Sequence, residues 1–279
     1  MEVFSDTICT LGEGPLWHPE RKQLIWFDIL GMRLYVKGET GKIGGWQFDE
    51  YVSAAGWVDQ ETLLMASATG LWRVNIETGA RKRVARLEAD DPTTRSNDGR
   101  ADPYGGFWIG TMGIKAEPHA GAIYRYYKGA LRRLFDRITI SNSICFSPDA
   151  RTAYFTDTFS RRIQKVALDN DGWPVGEPEV FVDLRKDELN PDGSVVDAAG
   201  NLWNAQWGAS RVACYAPDGT LLTWVNVPAS QTSCPAFGGA TGSTLFVTTA
   251  ADGVDEPQGG MTFIADIDVQ GQFEHRVIL

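Results

Sequence analysis

Six stretches of the chain carry a side-chain oxygen at the same point of a repeated pattern. The pattern is a short apolar strand, a turn rich in Asp, Pro or Gly, and a second strand rich in aromatic and β-branched residues. Aligned on it, the segments that begin at Leu11, Tyr51, Arg95, Ile140, Asn190 and Gln231 place Glu13, Ser53, Asn97, Asn142, Asp192 and Ser233 at their third position. Their neighbours are largely apolar or small. Polar groups that recur at one register of buried strands need partners, because an unsatisfied buried polar group costs about 1–3 kcal/mol. Water, a cation or a polar ligand must therefore meet them. Two of the six, Glu13 and Asp192, are carboxylates, which repel and shift one another's pKa unless a cation neutralises them. An all-oxygen donor set suits a hard divalent cation such as calcium, magnesium or manganese, and zinc less typically. Arg95 lies two residues before Asn97 and so on the same face of its strand, where a guanidinium can grip a carbonyl or hydroxyl of a ligand.

The elements that position these residues follow from the repeat. Its spacing of about 40 to 50 residues is the length of one four-stranded propeller blade. Each aligned pair of strands is followed by another strand-like run, such as LWRVN, AIYRYY, RIQKVAL or RVACYA, and then by turn chemistry such as IETG, LDNDG or APDG before a fourth strand. Long amphipathic helices, low-complexity tracts and Pro/Gly/Ser-rich linkers are missing, and 30 glycines and 13 prolines spread along the chain suit many tight turns. The pattern predicts an all-β chain, a six-bladed β-propeller of four-stranded antiparallel blades around a central channel, with residues 1–279 in one domain. The first strand of each blade lines the channel, so the six aligned oxygens are expected to share it.

Other chemistries fit poorly. A formal charge of −10 offers no basic face to nucleic acid and is repelled by anionic lipid, so neither is an expected partner. The start, MEVFSDTICTLGEGPLW, lacks the basic residues and apolar run of a secretory leader, and the expected location is cytoplasmic. Cys9, Cys145, Cys214 and Cys234 form no CxxC pair and read as buried free thiols. His18, His119 and His275 match no repeat register and form no HExxH. GxSxG and Walker motifs do not occur. Asp102, Asp149, Asp197 and Asp218 sit in turns between strands, where capping is the expected role, and the ten tryptophans read mainly as core.

With those residues in view, the chain resembles the SMP-30/gluconolactonase/luciferin-regenerating family, which includes regucalcin and bacterial sugar lactonases. LGEGPLW at 11–17, NDGRADPYGGFWIGTM at 97–112, ISN with SPD at 140–149, PDGSVVDAAGNLW at 191–203, and the later CPAFGG and TLFVTTA are similar to the family's successive blade motifs, in order and over nearly the whole chain. The resemblance implies a six-bladed propeller with one divalent metal ion in its channel, calcium, zinc, manganese or magnesium, held by Glu13, Asn142 and Asp192. It also implies substrate binding by Arg95 and Asn97 of the R-x-N-D-G motif. The implied activity is hydrolysis of a sugar-acid lactone, a small-molecule aldonolactone, to the aldonic acid in carbohydrate catabolism, with Asp192 as general base. Alternatives are a regucalcin-like metal-binding regulator without turnover and a paraoxonase-like esterase. Two positions depart from the family pattern. Lys115, with Glu117 two residues on, stands where some members have a sugar-contacting acid, and a lysine there fits an anionic substituent. Ser143 follows ISN where glycine is common. A monomer or weak homodimer is expected.

Overall fold

The computed structural model describes all 279 residues. Six four-stranded antiparallel sheets stand in a ring, as the repeat predicts. Their innermost strands are Gly12–His18, Val52–Asp59, Thr94–Ala101, Ser141–Phe146, Asn190–Val196 and Thr232–Gly238. These are the first strands of the six aligned segments. The one helical element is a 3-10 turn at Thr158–Ser160.

Apolar packing is divided among six layers, one between each pair of neighbouring blades, because stacked sheets bury their faces against each other. Leu16, Ile25 and Phe27 of the first blade meet Val52, Leu63 and Met65 of the second. Trp17 of the first blade stacks on Phe246 of the sixth, with ring centroids 5.3 Å apart. Since each sheet turns its apolar faces towards its neighbours, the axis is left to the edges of the innermost strands and can be polar. The four cysteines are free and buried. The turn aspartates cap as expected: Asp102, Asp149, Asp197 and Asp218 each accept backbone N–H groups within their turns. Asp102 does more, pairing at 2.7 Å with Arg125 where both side chains are fully buried.

Two features lie outside the repeat. The repeat leads one to expect each fourth strand after its own third, but the sixth sheet takes its outer strand, Glu2–Ser5, from the other end of the chain, paired with Thr262–Asp266. The first and last strands of the chain then sit in one sheet, so opening the ring means breaking a ladder. Phe4 reinforces the closure against Phe246, 5.0 Å away. The last ten residues have no regular structure and run across one end of the channel. Ala198 N–H donates to Gln270 O at 2.8 Å, Val277 N–H to Trp57 O at 2.8 Å, and Ile278 N–H to Gly105 O at 2.9 Å. The Gln272 amide donates to Phe146 O and Val196 O, each at 3.1 Å. The tail thus ties blades two to five together and closes that end.

Candidate active site

The ladder between first and second strands slips at the aligned position in all six blades. Paired residues jump from Glu13 to Leu16, Val52 to Ala54, Ser96 to Gly99, Asn142 to Cys145, Pro191 to Ser194, and Thr232 to Cys234. A β-bulge frees a residue from the ladder and re-aims its side chain: Asn97 and Asp192 fall inside such slips, while Glu13 and Asn142 are the last paired residues before theirs. Two of the bulges use the left-handed region. Gly14 has φ +55°, and a Cβ there would lie 2.2 Å from Ser53 O. Ser143 has φ +59° without being glycine. Its hydroxyl donates to Asp192 O at 2.5 Å and accepts from Ser194 Oγ at 3.0 Å. The serine adopts the backbone that glycine favours and adds bonds that fasten the strand carrying Asp192.

Four of the six aligned residues, Glu13, Asn97, Asn142 and Asp192, line one cleft of about 380 Å³ at the open end of the channel, together with Arg95 and Lys115. The expectation of one shared environment fails for the two serines. Ser53 donates to Ser96 Oγ at 2.7 Å, and Ser233 bonds to Gly12 O and Thr248 Oγ1. A hydroxyl on one carbon is satisfied by the adjoining blade before it reaches the cleft.

The amides are held by a defined network. Arg95 Nη1 donates to Asn97 Oδ1 at 2.7 Å, and Asn97 Nδ2 donates to Ser141 O at 2.9 Å and to Asn142 Oδ1 at 3.1 Å. Asn142 Nδ2 donates to Thr158 Oγ1 at 2.9 Å, whose own hydroxyl donates to Pro191 O at 2.7 Å. This chain of donors sets the Asn142 flip: its nitrogen points to Thr158, and its oxygen stays on the cleft side with a lone pair to spare. Asn97 uses its amide to hold Arg95 and Asn142.

The carboxylates are strained electrostatically. Glu13 and Asp192 are 4% and 5% exposed and line the same cleft. Burial, followed by the charge of Asp98, pushes Glu13 up to about 8. Burial, followed by the charge of Glu13, raises Asp192 well above the usual carboxylate range. Asp192 Oδ1 and Arg95 Nε are buried with no hydrogen-bond partner. Burial also pulls the Arg95 guanidinium down to about 10. Two buried carboxylates in one cleft, one with an orphaned oxygen, beside an oriented amide oxygen form a site that a cation would satisfy. No histidine or cysteine lines the cleft, so the available side-chain donors at its floor are oxygens.

Lys115 is exposed at the rim of the cleft. Glu117 turns back into its own loop, where its carboxylate accepts the Lys115 N–H at 3.0 Å, and it does not line the cleft. Asp98 is a buried residue that the strand pattern misses. It accepts the Ile144 N–H at 2.7 Å, and burial raises it to about 6 against the pull of Arg100. Strict alternation puts Asp98 on the face opposite Asn97, but both fall in the bulge, where alternation lapses. Beyond it Arg100 pairs with Glu274 of the tail.

The family profile described as the SMP-30/Gluconolactonase/LRE-like region matches residues 11–251. The chain is 37% identical over 275 residues to an L-arabinolactonase of Azospirillum brasilense, covering 94% of this chain and 90% of that protein. It is 35% identical to a pentonolactonase of Haloferax volcanii, over 97% of this chain and 96% of that one. The crystal structure of a calcium-binding protein, regucalcin, from Agrobacterium tumefaciens is similar at a TM-score of 0.97 and 42% identity, covering 99% of this chain and 97% of that chain. A six-bladed ring with a polar, carboxylate-bearing channel and matches of this length define the class: the chain belongs to the SMP-30/gluconolactonase/LRE-like family.

Proposed function

We propose that this protein is a metal-dependent lactonase that hydrolyses a sugar-acid lactone to the free acid, a reaction of carbohydrate catabolism. The observation that carries the reading is the pair of buried carboxylates, Glu13 and Asp192, lining one cleft beside the oriented Asn142 oxygen, with Asp192 Oδ1 left unpartnered. Related proteins named for arabinolactone and pentonolactone hydrolysis support it, and the calcium-binding relative supports a divalent cation. Glu13, Asn142 and Asp192 would hold that cation, and the oxygen donor set fits calcium, magnesium or manganese better than zinc. When bound, such an ion supplies Lewis-acid polarisation of an ester carbonyl.

The rest is the work of the chain. Asp192 takes a proton from the attacking water as that water's oxygen bonds to the carbonyl carbon. It returns the proton to the ring oxygen as the carbon–oxygen ring bond breaks. Arg95, whose Nε has no protein partner, grips the substrate, while Asn97 fixes the guanidinium and lines the same wall. Lys115 at the rim meets the part of the substrate remote from the lactone.

A pH-indicator assay over gluconolactone, galactonolactone and arabinonolactone, with EDTA and with single cations restored, tests the proposal. Acid release that EDTA abolishes and one cation restores is the expected outcome. Metal binding without acid release favours a regucalcin-like regulator instead. A preference for aryl esters favours a paraoxonase-like esterase. Turnover indifferent to EDTA overturns the metal-dependent reading.

A further inference from the structure

The cleft continues past the inner site. Ile140, Thr158 and Trp207 line both it and a second, wider depression of about 640 Å³, whose far side carries Phe159 and Arg161. Phe159 is 71% exposed, an unusual position for a phenyl ring. Its loop is tightly held. The Asp157 carboxylate accepts the N–H groups of Thr139, Ile140 and Phe159 at 2.9, 3.0 and 3.2 Å, and Ser160 Oγ donates to Asp157 O at 2.7 Å. The same loop holds the Asn142 amide through Thr158. Phe159 is therefore presented in fixed register with the inner site.

Arg161 ends this loop at φ +54° and donates from Nε to Asn190 Oδ1 at 3.1 Å. It makes no ion pair, whereas neighbouring Arg162 and Arg185 share Asp183. Half-buried Trp207 lies between the two chambers. Aromatic faces meet the apolar C–H faces of sugar rings, and an unpaired guanidinium offers several donors to hydroxyls. The inner cleft suits one ring, and the outer chamber offers a stacking face and donors to another.

We propose that the outer chamber is a second sugar subsite, and that the preferred substrate is a lactone carrying a glycosyl substituent, an aldobionolactone, over a lone aldonolactone. This rests on the lactonase reading of the inner site. The bond broken is still the lactone ester, opened by water to an acid and an alcohol, and the glycosidic bond is untouched.

Initial rates of acid release, corrected for uncatalysed opening, are compared for gluconolactone and cellobionolactone with the wild-type protein, Phe159→Ala and Phe159→Trp. Cellobionolactone is expected to exceed gluconolactone by about tenfold in kcat/KM, the factor that one ring-stacking contact supplies, with the gain in KM. Phe159→Ala should remove that advantage and leave gluconolactone unchanged, and Phe159→Trp should keep it. Gluconolactone turned over as well as cellobionolactone, or an equal loss on both lactones in Phe159→Ala, overturns the subsite. Hydrolysis of lone-ring lactones only defeats this inference and leaves the inner-site reading standing. Failure to open either lactone, with galactonolactone and arabinonolactone also left intact, defeats both.

Discussion

The two ends of the channel are built on opposite principles. At the open end, buried charges lack partners: Glu13 and Asp192 share a cleft without an ion pair, and Asp192 Oδ1 and Arg95 Nε are unsatisfied. At the closed end, buried groups are paired. Arg100 meets Glu274, Trp57 donates its indole N–H to Glu274 O at 2.9 Å, and His18 lies between Asp59 O and the Arg21 N–H. A small cavity of about 20 Å³ there has room for about one water. The contrast teaches that the ring tolerates an electrostatically costly site because the apolar layers between blades and a plugged far end hold it in shape. Buried carboxylates kept apart from their counter-charges are what a ligand can then satisfy.

Removing one charge from each end should break the comparison in opposite directions. Asp192→Ala is expected to lower kcat by on the order of 10³-fold, while the unfolding midpoint of EDTA-treated protein holds or rises, because a buried charge facing Glu13 is gone. Steady-state rates and thermal melts check it; near-normal turnover would remove Asp192 from the chemistry. Glu274→Ala should do the reverse, costing about 3–5 kcal/mol in urea unfolding by stranding the Arg100 guanidinium, with the kcat of folded molecules unchanged. A loss below about 1 kcal/mol would put the pair on a par with an exposed one.

The smallest effect concerns pH. Burial lowers His18 beneath its ordinary value of 6.5, so the unfolded chain takes up the proton first as pH falls. His18 therefore contributes stability that is present above 6.5 and lost as pH drops below it. His275, also lowered by burial, acts in the same sense. Urea midpoints measured from neutral pH downwards should fall less steeply for His18→Gln than for the wild type. Parallel slopes would mean that the imidazole takes up its proton alike in the folded and the unfolded chain.

Much of the open end was legible because the blade repeat carries register: one oxygen per repeat, at a fixed offset, marks the axis-facing edge. The repeat was too coarse to separate Glu13 and Asp192, which reach the cleft, from Ser53 and Ser233, which are satisfied by the adjoining blade. Asp98 was hidden because a bulge suspends alternation. The closed end was not legible at all. Glu274 sits in an irregular segment with no period, and its partner Arg100 is far away in sequence. The outer strand Glu2–Ser5 was missed for the same reason, since a repeat read along the chain cannot show that its first and last members meet.

The sequence by itself determined the six blades, the polar register and the residues Glu13, Arg95, Asn97, Asn142 and Asp192, because all of these are local patterns repeated at a constant spacing. Only the tertiary structure decided which of the six oxygens share a cleft, that Lys115 stands at its rim while Glu117 turns away, and that the tail closes the far end. Those outcomes depend on bulges and on contacts between chain segments distant in sequence, where side-chain reach and competing hydrogen bonds, and not periodicity, choose the partner.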